Sequence, residues 1–113
     1  MRYKHYKGGI YQKLGEGKFV DYGDTLLMDN HLLTAATYEP TGENILVFDV
    51  FGRIWVSFAD RETEEALMEE EVVIYQSEST GIHYVRLKEE WEGLTEEGEQ
   101  RFTEIKEENG RTF

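Results

Sequence analysis

Nine residues near the start of the chain, Tyr3-Lys4-His5-Tyr6-Lys7-Gly8-Gly9-Ile10-Tyr11, combine three tyrosines, two lysines and a histidine. Aromatic faces stack on planar groups, ammonium groups meet anions, and glycines let a ligand approach backbone N–H groups closely. In an extended segment Tyr3, His5 and Lys7 share one face, while Lys4 and Tyr6 take the other. One face is therefore suited to a ring-stacked anion such as a nucleotide phosphate. The competing reading is a first strand whose tyrosines pack on a sheet and whose lysines meet nearby glutamates.

Other chemistry finds less support. His5, His31 and His83 have no metal-ligand spacing, and there is no His-Glu-x-x-His or Asp-x-Asp-x-Asp-Gly pattern. No Gly-x-Ser-x-Gly elbow is present, and neither Gly8-Gly9 nor Gly15-Glu16-Gly17 leads into the Gly-Lys-Ser/Thr of a phosphate loop. Zero cysteine excludes a disulfide framework, a thiolate metal site and a cysteine nucleophile. The expectation is a protein without enzymatic activity, resident metal or cofactor.

Charge is unevenly placed on the 113 residues, whose formal net charge is −12. Residues 1–18 carry five basic side chains against Glu16 alone, a local +4. The remainder carries 7 basic and 23 acidic side chains, or −16. This balance argues against a protein that coats nucleic acid, which needs a basic footprint to release counterions. It leaves room for a small anion bound at the basic segment, or for a basic protein partner on the acidic body. The opening residues contain no apolar signal region, and no apolar run nears the roughly 18 residues of a membrane helix. Together with the absence of cysteine, this predicts a cytoplasmic protein with no membrane association.

The elements that must position these residues are short strands between glycine-containing turns. Ile10–Leu14 follows Gly8-Gly9. Leu26–Met28 and Leu32-Leu33, the latter extended by Ala35–Tyr38, flank a turn at Asp29-Asn30-His31. Glu39-Pro40-Thr41-Gly42 fits a type I turn. Ile45–Phe48 and the alternating Ile54-Val56-Phe58 set form a hairpin closed by Asp49–Arg53, and Val72–Tyr75 with Ile82–Arg86 form another around Ser77–Gly81. The two hairpins share a glycine followed by aromatic-valine three and four positions later, as at Gly52-Trp55-Val56 and Gly81-Tyr84-Val85. Asp60–Glu69, rich in helix formers and acidic at its front, predicts the one short helix. Leu87–Trp91 is a second, shorter helical candidate. Phe102 and Ile105 fit a short strand or a helix, and residues 107–113 read as a frayed end. The expected fold is mainly β, a small partly open barrel or twisted antiparallel sheet in a single domain of residues 1–113.

The opening segment, with Leu14-Gly15 after it, resembles the first signature of a small bacterial and phage family called domain of unknown function 1653. That family's second signature is a strand ending in valine-valine-tyrosine, a turn, then tryptophan-x-arginine-proline and a later aromatic. Glu71-Val72-Val73-Ile74-Tyr75, Gly81, Tyr84-Val85-Arg86-Leu87 and Trp91 are similar to it. Arg101-Phe102-Thr103-Glu104-Ile105 resembles its closing strand. Tyr84 stands where tryptophan is usual and Leu87 where proline is usual. Residues 16–70 replace a short link, which reads as an insert or a duplicated hairpin. The resemblance implies an SH3-like β-barrel and a bacterial or phage setting. It implies no activity, because the family's own function is unassigned and fold is no warrant for function.

Two functions follow as expectations. The first is a small binding protein that captures an anionic or nucleotide-like ligand, and so could sequester a host signalling nucleotide. Its ligand-binding residues would be Tyr3, Lys4, His5, Tyr6, Lys7, Gly8, Gly9, Tyr75, Tyr84 and Arg86. The second is an acidic adaptor or inhibitor that engages a basic partner, imitating nucleic-acid phosphates. In either case an exposed strand edge would allow a homodimer.

Overall fold

The computed structural model describes residues 1–20 and 29–105. Among them are eight strands: β1 (Arg2–His5), β2 (Ile10–Phe19), β3 (Leu32–Tyr38), β4 (Glu43–Val50), β5 (Arg53–Phe58), β6 (Glu71–Ser77), β7 (His83–Leu87) and β8 (Phe102–Glu104). One five-residue α-helix, α1 (Lys88–Glu92), follows β7. The strands form one sheet in the order β5-β4-β3-β7-β6-β2-β1-β8, and a further pairing of β5 with β2 closes six of them into a barrel. The fold is thus mainly β, with β1 and β8 extending the wall beyond β2. The segment holding Leu26–Met28 and the end at 107–113 lie outside the described residues.

The barrel is built from two three-stranded antiparallel halves, β3-β4-β5 and β2-β6-β7. Two parallel seams join them, β2 to β5 and β3 to β7. The halves match in register. Phe19 sits opposite Val56 in one seam as Tyr38 sits opposite Val85 in the other. The amide of Val20 donates to Val56 O at 2.9 Å, and that of Glu39 to Val85 O at 3.0 Å. Both halves also slip register at the same place, around Leu14 in β2 and Leu33 in β3. The glycine, aromatic and valine shared by the two hairpins therefore mark matching points of a pseudo-two-fold barrel. The whole of one half, β3-β4-β5, lies within residues 16–70.

Inward-facing side chains of both halves fill the barrel: Phe19, Ile45, Val47, Val56, Val72 and Val85 are wholly buried, with Tyr38, Phe58 and Ile74 nearly so. A second cluster lies outside the barrel on the other face of β6, where Val73 and Tyr75 meet Trp91 and Phe102. Strand β6 is apolar on both faces because it has a core on each side. Burying side chains of this size stabilises by about 1.5–3 kcal/mol each. Trp91 thereby holds α1, which at five residues would not persist alone.

The helix expected over Asp60–Glu69 does not form, and only a 3-10 turn at Glu65–Leu67 remains. Its residues are used elsewhere. The Arg61 guanidinium lies 3.8 Å from the Phe58 ring centre and donates to Glu43 at 2.6 Å, while Thr63 Oγ1 donates to Val20 O at 2.8 Å. These anchors hold the chain extended along the barrel, and Glu64 offers no side-chain cap to start a helix. The one short α-helix is the other candidate, at Lys88–Glu92. The proline turn also begins one residue earlier than expected, with Tyr38 O accepting from Thr41 and Gly42. Phe102–Glu104 is a strand, paired with β1.

The β4–β5 hairpin is closed by two residues, Phe51 and Gly52, with φ of 53° and 88°. Positive φ at both positions defines the type I′ turn, which favours Asn-Gly. Phe51 is poorly suited to the left-handed region and is 92% exposed, so its ring gains little from burial. Phe51→Asn is expected to raise stability by about 0.5–1 kcal/mol in urea unfolding. A loss instead would show that the contact between Phe51 and His31, 5.4 Å between ring centres, matters more than the backbone.

Candidate functional site

The outer face of the β7-β6-β2-β1-β8 wall carries rings in register. Tyr84 faces Tyr75 across β7 and β6, Tyr3 faces Tyr11 across β1 and β2, and His5 faces Phe102 across β1 and β8. Alternation within each strand places these side chains on one face, and strand pairing brings them side by side. Tyr75 and Tyr84 stack at 5.6 Å, and Tyr11 meets Tyr75 edge-on at 5.4 Å. Trp91 stacks on Phe102 at 3.9 Å, closing the side near α1.

Arg86 lies two residues after Tyr84 on the same face of β7 and is 6% exposed. Its Nη2 donates to the carboxylate of Glu39, and its Nε reaches Tyr75 Oη at 3.5 Å. Glu39 arrives through the parallel β3–β7 seam, at the start of the proline turn. Its side chain is 39% exposed. Arg86, Glu39, His5, Tyr11, Tyr75 and Tyr84 line a cavity of about 90 Å³.

The electrostatics at this cavity differ from those of the chain as a whole. The His5 imidazole is held below its ordinary value first by burial, then by the positive charges of Arg86, Arg101 and Lys7, with Glu39 opposing. Arg101 Nε is buried without a hydrogen-bond partner. Burial pushes the Tyr75 and Tyr11 phenols upward, so both rings are neutral near pH 7. The charged lining residues, Arg86 and Glu39, balance each other, while Arg101 and Lys7 act on His5 from outside the lining.

Four of the ten residues singled out in the sequence, His5, Tyr75, Tyr84 and Arg86, meet at this cavity. Tyr3 packs edge-on against Trp91 at 5.0 Å, one ring removed from it. Lys4 and Tyr6 are exposed and line a neighbouring surface depression with Glu99 and Thr103, which shares only His5 with the cavity among the described residues. Lys7, Gly8 and Gly9 form the β1–β2 turn, where the Lys7 amide donates to His5 Nδ1 at 3.2 Å. The cavity also includes Tyr11 and Glu39, which are not among those ten. Tyr11 stood within the aromatic segment. Glu39 had no local signal, because the seam that brings it to Arg86 joins residues 47 apart. Among the described residues no group of three or more His, Asp or Glu side chains is placed to hold a metal ion, and no helix is long and apolar enough to cross a membrane.

The His5 environment carries a pH dependence. The unfolded imidazole titrates near 6.5 and the folded one lower, so between the two values the unfolded chain binds more protons. This contribution is complete above about 6.5 and is lost as pH falls through the folded value. Glu16, Glu43 and Glu78, held down chiefly by hydrogen bonds from Lys13, Arg61 and Arg2, add a second loss below 4.5. Urea unfolding from pH 7.5 to 3 is expected to show both steps, and His5→Gln to remove the upper one. An unchanged upper step in that variant would assign it to another group.

Compared with protein-family models, curated proteins and solved structures, the chain matches none.

Proposed function

We propose that this is a non-enzymatic binding protein that captures a small anionic, nucleotide-like ligand at the Arg86 cavity. The observation that carries the reading is the state of the guanidinium. Arg86 is almost fully buried, yet two of its five N–H donors are engaged, and the carboxylate it pairs with stands half-exposed on a turn. A phosphate or carboxylate of the ligand takes the place of Glu39. Exchanging one anion for another leaves the buried guanidinium paired throughout, which avoids the cost of an isolated buried charge. The cavity of about 90 Å³ holds the anionic group, and the planar part of the ligand lies over Tyr11 and Tyr84 at the rim. In the bacterial or phage setting that the family resemblance implies, such a protein sequesters a host signalling nucleotide.

A thermal-shift panel of mononucleotides, cyclic dinucleotides and pyrophosphate tests this. A ligand at 100 times its Kd adds about 2.7 kcal/mol by mass action. The shift should vanish in Arg86→Met and survive in Lys4→Ala, since Lys4 lies outside the cavity. No shift with any compound at millimolar concentration counts against the reading. A second reading, an adaptor for a basic protein, draws support from the exposed Glu62, Glu64, Glu65, Glu69, Glu70 and Glu71. Neutralising Glu69, Glu70 and Glu71 would abolish that interaction and leave nucleotide binding intact.

A further inference from the structure

A second, larger cavity lies at one end of the barrel and, among the described residues, shares no lining with the Arg86 site. Its volume is about 390 Å³, within the usual range of ligand pockets, roughly 300–1,000 Å³. The lining comes in pseudo-two-fold pairs. Leu14 and Leu33 are the two bulge residues, Gly15 and Thr34 follow them, and Val47 and Ile74 sit opposite these in β4 and β6. The cavity therefore straddles the axis that relates the two halves. It exists because both strands slip register at the same level, turning a leucine outward on each side. Leu14 and Leu33 are 52% and 60% exposed at its rim.

The fourth pair breaks the symmetry: Ile54 in one half, His83 in the other. Among the described residues, the His83 imidazole forms no hydrogen bond and no Lys, Arg, Asp or Glu lines the cavity. Thr34 Oγ1 already donates to Ala35 O at 3.1 Å. An otherwise apolar cup thus presents one imidazole without a partner. With no cation among the described lining residues and a net charge of −12 on the chain, a neutral head group suits it better than a carboxylate.

We propose that this axial cup binds a small amphipathic molecule: an apolar body of roughly ten carbon atoms with one neutral hydrogen-bonding head, held by His83. The proposal is independent of the Arg86 site.

The test is a calorimetric titration with 1-hexanol, 1-octanol and 1-decanol, and with toluene as a probe that has no head group. Saturable 1:1 binding is expected, strengthening about fourfold for each methylene added. Gly15→Phe fills the cup from a position where an added Cβ meets nothing within 4 Å. It should weaken 1-octanol binding at least tenfold while the protein stays folded by circular dichroism. His83→Leu should weaken 1-octanol about fivefold or more and leave toluene unchanged. Absence of saturable binding by every probe, or binding indifferent to Gly15→Phe, overturns the proposal. So does a dimer in analytical ultracentrifugation that Leu33→Asp dissolves, since a second copy would then cover the cup. Arg86→Met must leave 1-octanol binding intact, which separates this site from the nucleotide reading.

Discussion

Gly17→Ala is expected to lower stability by about 3 kcal/mol, the upper end of what overpacking usually costs, with the melting temperature falling by more than about 10 °C. Gly17 pairs with Ile54 in the parallel seam that closes the barrel. A Cβ at this position would stand 2.5 Å from Ile54 O and 2.8 Å from Ile54 Cγ2. The first of these is backbone and cannot rotate away, so β2 and β5 must separate. The pseudo-symmetry explains why glycine sits here. The matching residue in the other half is Ala36, and there the parallel ladder begins one pair later, at Thr37 and Tyr84. With glycine, the β2–β5 ladder extends to three pairs. Gly15→Ala is the control, because two residues earlier on the same strand an added Cβ meets nothing within 4 Å. That change should be neutral or stabilise by up to about 1 kcal/mol through the unfolded chain. Equal losses in the two variants would show that glycine is required in β2 for a reason other than the close approach of Ile54.

The strands of this protein were legible where residues close together in sequence decide the structure. Alternation at Ile54, Val56 and Phe58 and the glycines of the two hairpins gave their pairing, because a hairpin is local. The apolar run Ile45–Phe48 reads as a strand buried on both faces, and Ile45, Val47 and Phe48 are buried with Leu46 partly so, but the strand with a core on each side is β6. Asp60–Glu69 was misread because helix propensity is a weak prior. Arg61 and Thr63 find partners on β4 and after β2, and these outweigh a few tenths of a kcal/mol per residue. The parallel seams left no sequence mark at all, since their partners lie 37 and 47 residues apart at Phe19 with Val56 and Tyr38 with Val85. The candidate site divides along the same line. His5, Tyr75, Tyr84 and Arg86 announced themselves as an aromatic and basic set. Glu39, which decides the charge of the cavity, could be recognised only once the β3–β7 seam was formed. The axial cup depends on two register slips, and neither Leu14 nor Leu33 differs in kind from the leucines around it.

Glu39→Gln is expected to cost about 2 kcal/mol, and Arg86→Met less than about 1 kcal/mol, although both remove the same ion pair. The asymmetry follows from burial. Losing Glu39 strands a guanidinium that is 6% exposed, whereas losing Arg86 leaves a carboxylate on a turn with water beside it. Breaking a fully buried pair from one side costs about 3–5 kcal/mol; the exposure of Glu39 reduces this, because solvent already screens it. Methionine retains most of the apolar stem among Tyr75, Tyr84 and Phe102, and what Tyr75 loses is a long hydrogen bond of 3.5 Å. The same pair distinguishes a purely structural ion pair from an exchangeable counter-ion. Inorganic phosphate should stabilise Glu39→Gln more than the unaltered protein, because the guanidinium is then vacant and need not shed a carboxylate first. It should leave Arg86→Met unmoved beyond the general effect of salt, set by a sodium chloride series at matched ionic strength. A larger phosphate shift in Glu39→Gln alone identifies Arg86 as the anion receptor. Equal shifts in all three proteins would mean that Glu39 and Arg86 serve only to join β3 to β7.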